Sequence, residues 1–130
     1  MTPMTPGIEK IAVFGSETVS IEVSAPDRMA FVGTIAVRDP TGLLQAHLRR
    51  IHEVALSRKL TRLTVDMRKL TFVNSSALRL FIDWVGWLKR ETDKRYRLIF
   101  VIDPTVTWQK TSFGALRSIA GDIIDVRTEP

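Results

Sequence analysis

The stretch Thr64-Val65-Asp66-Met67-Arg68-Lys69-Leu70-Thr71-Phe72-Val73-Asn74-Ser75-Ser76-Ala77-Leu78-Arg79 changes character along its length. Leu63 to Met67 reads as a β-strand. Leu70-Thr71-Phe72-Val73 follows as a short apolar connection. Asn74-Ser75-Ser76 then supplies cap residues directly before a long helix, from Ala77 to about Glu91. A strand, a tight connection and a capped helix in succession open a β-α-β unit, which calls for parallel pairing and a right-handed crossover.

The same grammar continues on both sides. Downstream, Arg97-Leu98-Ile99-Phe100-Val101-Ile102 is continuously apolar, as a buried strand is, and Asp103-Pro104 ends it. A loop carrying Trp108 leads to a helix over about Ser112 to Ala120, with Phe113, Leu116 and Ile119 on one side and Gly121 as its stop. Asp122 to Val126 reads as a final edge strand. Upstream, Asp39-Pro40 opens a helix that ends near Ser57. Leu44, Leu48, Ile51 and Ala55 give that helix one apolar face. Before it, Thr18 to Val23 alternates and Met29 to Val37 is β-rich, and Ala25-Pro26-Asp27-Arg28 breaks them into a hairpin. Ile8 to Phe14 is a weak edge strand, with Gly15-Ser16 as a turn. Residues 1–7, with two prolines and a glycine, read as a flexible segment. The expectation is one α/β domain over residues 8–130, a mixed β-sheet with β-α-β crossovers and helices packed on it.

Composition agrees. The chain has 130 residues, of which 45% are hydrophobic, enough for one core. There is no cysteine, so there is no disulfide framework and no thiol nucleophile. The N-terminus lacks the basic and apolar regions of a signal peptide. The longest apolar-rich stretch, Leu78 to Leu88, contains Arg79 and Asp83 and is too short to span a bilayer. A soluble, cytoplasmic protein without a membrane partner is expected. Net charge is +5, from 19 basic against 14 acidic residues. The densest basic run, Lys89 to Arg97, is interrupted by Glu91 and Asp93. It reads as a solvated helix end rather than a nucleic-acid footprint, with a docking site for an acidic partner protein as the functional alternative.

In open α/β sheets, function sits where strands end at their carboxyl side. Two loops leave such ends, Lys69 to Ser76 and Asp103 to Thr111. Both fall on one rim, so Ser75, Ser76, Asp103, Trp108 and Gln109 become candidate neighbours. Taken alone, Ser75 and Ser76 serve equally well as plain helix caps.

The whole run from Thr64 to Arg79 resembles the signature segment of STAS domains, shared by bacterial anti-sigma factor antagonists and sulfate transporters. There a V-x-D-[LM] strand leads through an apolar turn to D-S-S-G. Phe31 to Val37 resembles the preceding strand and Leu98 to Pro104 the following one, so the likeness covers about residues 18 to 126. It implies a non-enzymatic regulator acting by protein–protein contact, with Ser75 (or Ser76) as the phosphorylated residue. Asn74, Ser75, Ser76, Arg79, Trp108 and Gln109 become the partner-binding set. The implied partners are an anti-sigma-type serine kinase and a phosphatase. Three positions depart from the pattern: Asn74 and Ala36 replace acidic residues, and Ala77 replaces glycine. The Asn-Ser-Ser turn and Trp108-Gln109 resemble a divergent branch of such regulators.

Two other readings stand beside this one. In a constitutive binding module the serines only cap, and the aromatic helix face and Trp108 hold the partner. In a small-molecule or nucleotide sensor the rim forms a pocket. On the long helix, Phe81, Trp84 and Leu88 are core, while Ile82, Val85 or Trp87 is left outward. Trp87 is either core or interface, and Trp108 either lid or anchor. A monomer or weak homodimer is expected. His47 and His52, five apart, read as surface or boundary residues with no metal spacing. With no nucleophile elbow, phosphate loop or dinucleotide fingerprint, neither enzymatic chemistry nor a cofactor is expected.

Overall fold

The structure is a computed structural model and describes residues 14–15, 19–35, 43–91 and 95–129. The expected strand over 8–13, the cap at Asp39-Pro40 and the departure at Ala36 lie outside those residues, as does the segment 1–7.

Strands β1 (Phe14–Gly15), β2 (Val19–Ala25), β3 (Arg28–Ile35), β4 (Arg62–Val73), β5 (Arg97–Ile102) and β6 (Ile124–Thr128) form one sheet in chain order. β1, β2 and β3 pair antiparallel, and β3 to β6 pair parallel. Helices α1 (Leu43–Ser57), α2 (Ser75–Arg90) and α3 (Thr107–Ala120) make the three crossovers. A sheet in chain order with right-handed crossovers places every helix on the same face. The chain is thus a single α/β domain with a mixed sheet, as its sequence predicts.

The core lies between that face and the helices. β3 contributes Met29, Phe31 and Ile35, β4 Leu63, Val65 and Met67, and β5 Leu98, Phe100 and Ile102. Every predicted apolar position of α1, Leu44, Leu48, Ile51 and Ala55, is buried among them. So are Phe81, Trp84 and Leu88 of α2. Phe81 is the hub, its ring meeting Phe31, Phe100 and Phe113 at centroid distances of 5.4, 6.3 and 6.0 Å. The opposite face is charged. Asp66 is held there by Arg68 and Arg28, and Arg97 pairs with Asp125. Among the described residues no helix is long and apolar enough to cross a membrane.

Five readings need correction. Gly15 belongs to β1, not to a turn. Leu70 to Val73 is not a connection: β4 runs on through Val73, paired with β3 to Ile35. The polar pair Arg68-Lys69 hides this by breaking the alternation. Third, α3 starts at Thr107, so Trp108 and Gln109 are helical; Val106 caps it without a side-chain bond and leaves no signal in the sequence. Ile119 lies outside the core at 69% exposed. Lastly, His52 is buried at 1% exposed. It sits one turn beyond Leu48, on the edge of the apolar face of α1.

Candidate functional site at the end of strand β4

Beyond Asp66, β4 loses β5 as a neighbour, because their pairing ends at Asp66 opposite Val101. On its other side it slips twice against β3, between Ala30 and Val32 and between Gly33 and Thr34. Each slip gives β4 an extra residue, a bulge that frees backbone groups from the ladder. Gly33, at φ 111°, occupies a backbone conformation that favours glycine at the second slip. The Thr71 hydroxyl donates to its carbonyl at 3.1 Å.

The freed carbonyls are met by α3. The Gln109 amide donates to Met67 O at 2.7 Å and Leu70 O at 2.9 Å. Its Oε1 accepts from the Asp103 N–H at 2.9 Å. Gln109 is fully buried with both ends of its amide engaged. As a partner contact it is therefore corrected: it positions the rim from beneath. Trp108 donates from Nε1 to Thr71 O at 3.2 Å and leans on Phe113, a half-buried lid over the core. Asp103 accepts from the Thr105 hydroxyl and N–H at 2.7 and 2.9 Å, and these bonds hold its carboxyl below the ordinary range.

Asn74 joins this strand end to α2. Its N–H donates to Ile35 O at 3.0 Å. Its side chain caps the helix, accepting from the Ala77 N–H at 2.8 Å. The cap is therefore Asn74, not either serine. Ser75 and Ser76 occupy the first turn with exposed side chains, and no acidic residue shares that turn. Ala77 is buried. Arg79, four residues beyond Ser75 and 72% exposed, is within 3.8 Å of Asp83. Phe72, 51% exposed, lies near the end of β4, two residues before Asn74, a rim residue that the pattern of Leu70 to Val73 did not single out. Strand end, lid and serine turn thus adjoin. Among the described residues no hydrogen bond joins either serine to Asp103, Trp108 or Gln109.

A second polar cluster lies away from the rim. Trp84 Nε1 donates to the Tyr96 hydroxyl, which lies 2.7 Å from His52 Nδ1. One proton makes the bond between the Tyr96 hydroxyl and Nδ1, and its direction follows the His52 tautomer. Among the described residues Nε2 has no partner. Burial, then the Arg49 charge, lowers the His52 pKa, which keeps the ring neutral. Trp87, half-buried beside His52, is covered by the Arg49 guanidinium at 5.0 Å.

No protein-family model, no curated protein and no solved structure matches the chain.

Proposed function

We propose that this chain is a STAS-like regulatory domain. In this reading it works without catalysis, by protein–protein contact at the rim around Ser75, and phosphorylation of Ser75 switches it. The observation that carries the reading is that Asn74 does the capping, which leaves the Ser75 side chain exposed at the start of a helix, with no hydrogen bond to another side chain among the described residues. The resemblance around Asn74-Ser75-Ser76 supplies the kinase and phosphatase as partners.

The surroundings suit a phosphate. It adds about −1.5 to −2 charge, and the helix N-terminus favours an anion through its open N–H groups and dipole. With Ala77 N–H on the Asn74 side chain and Leu78 N–H on the Asn74 carbonyl, the Ser75 and Ser76 N–H groups are left for it. Arg79, one turn on, offers a charge-assisted bond. The fold therefore tolerates the modification while the surface beside Phe72 changes sign. A partner fitted to the neutral hydroxyl is then repelled.

Site-mapping mass spectrometry on protein from its own cells tests this directly, with phosphate expected on Ser75. Ser75→Asp is expected to weaken partner binding about tenfold or more while leaving the melting temperature unchanged or slightly raised. An unmodified Ser75 under all growth conditions, with an Asp variant that binds normally, leaves a constitutive module instead.

A further inference from the structure

Helices α2 and α3 lie on the same face of the sheet but do not close on each other. Between them runs a cleft of about 470 Å³. Leu78, Ile82 and Val85 wall it on α2, and Ala115, Leu116 and Ile119 on α3. Ile82 is 47% and Ile119 69% exposed, two of the three large hydrophobic residues so exposed among the described residues. Apolar surface gathered in this way marks a contact site.

Two observations say what it takes. The first is its depth. Gly86, in the middle of α2, lines the cleft, and a Cβ there would meet nothing within 4 Å. Neither backbone conformation nor packing calls for glycine, and alanine would favour the helix. What the missing side chain does is let another backbone approach.

The second is charge. Lys89 is the charged residue that lines the cleft; Arg79 and Arg90 continue its helical stripe beyond the lining, and with Asp83, which pairs with Arg79, the α2 lip keeps a net positive charge. Lys89 also reaches Ile119 O at 3.5 Å, closing one end. The α3 side offers the neutral Thr111 and Ser112. A second copy of the chain would set this basic lip against its own, in a molecule of net charge +5.

We propose that this cleft is the docking groove for an acidic amphipathic helix of a partner protein. From Leu78 to Lys89 the groove is about 17 Å long at 1.5 Å per residue, or three turns. The partner helix sets apolar side chains at i, i+3 or i+4 and i+7 into the cleft, and its Asp and Glu residues against the α2 lip. This holds whether or not Ser75 is modified.

The test is a display library of helical peptides, with leucines fixed at that spacing and other positions randomised, panned on the unmodified full chain. The expected pool is enriched in Asp and Glu beside the leucines. Its binding falls about tenfold or more with Gly86→Leu, which fills the groove, and with Lys89→Glu, while circular dichroism shows both variants folded. No enrichment, a pool without acidic bias, or a pool that binds Gly86→Leu as well as the parent overturns the proposal. So does a concentration-dependent dimer that Gly86→Leu abolishes, since the occupant is then a second copy.

Discussion

The two halves of strand β4 are held in different ways. From Arg62 to Asp66 the strand is laddered to Arg97–Val101 of β5, and from Thr64 to Asp66 also to Arg28–Ala30 of β3. From Met67 to Val73 it slips twice against β3, and in place of β5 it has Trp108 and Gln109. The first half is fixed by repeated backbone bonds, so the loss of one side chain is shared. The second half rests on a few side chains at defined places. Asn74 and Ser75 hang from that second half, so substitutions that never touch the rim can move it.

Gln109→Ala is the sharpest way to break this contrast. It strips partners from two buried carbonyls and one N–H. A buried polar backbone group left unpaired costs about 1–3 kcal/mol, so the loss is about 3 kcal/mol or more. That is a large share of a typical stability of about 5–15 kcal/mol. Denaturant unfolding measures it. Hydrogen exchange locates it, with protection lost around Leu70 to Val73 and kept at Val65 and Phe100. A cost below about 1 kcal/mol would mean that the second half does not depend on this side chain.

Gly33→Ala probes the same half from the β3 side. At φ 111° an added Cβ is strained, with an expected cost of about 1–2 kcal/mol. Chemical shifts should change at Thr71 to Asn74, reached through the Thr71 bond to Gly33 O, and not at Thr64 to Asp66. Changes spread evenly along β4 would erase the distinction between its halves.

This contrast also explains which parts of the fold were legible. The face of α1 and the strand β2 follow from periodicity, and β3 and the strand Arg97–Ile102 from their β-rich and unbroken apolar composition, signals that each segment carries alone. The end of β4 does not, because its course depends on bulges set by a neighbouring strand and on a glutamine 39 and 42 residues from the carbonyls it holds. Trp108 and Gln109 looked like loop residues because no cap announces α3. The serine turn was legible as a helix start. Which residue caps was not: Asn74 and the serines are chemically equivalent cappers, and the chain direction at Val73 decides between them. His52 lay one turn after Leu48, a signal that was present, but its partner Tyr96 is 44 residues away in sequence. The groove beside Gly86 required two helices to be seen together.

The smallest expected effect comes from the first half, at Asp66 on the charged face. Its carboxylate accepts from Arg68 Nε and Nη2 at 3.0 and 2.7 Å, from the Arg68 N–H at 3.0 Å and from Arg28 at 3.4 Å. Burial pushes its pKa up, but the Arg68 bonds and the two guanidinium charges outweigh burial and hold it below the ordinary value. A depressed folded pKa means that the unfolded chain binds the proton more readily. The contribution is therefore complete above the unfolded value of about 3.9 and is lost as the pH falls through the folded one. Asp66→Asn should cost about 1 kcal/mol at neutral pH, since the guanidinium partners are partly solvated. The gap between variant and parent should close as the pH falls through the depressed folded value. Because ladders on both sides keep the backbone of this half in place, the loss should remain well under that of Gln109→Ala and leave hydrogen exchange at Leu70 to Val73 unchanged. An Asp66 variant that loosened the serine turn as much as the glutamine variant would place the support of the rim in the charged face instead.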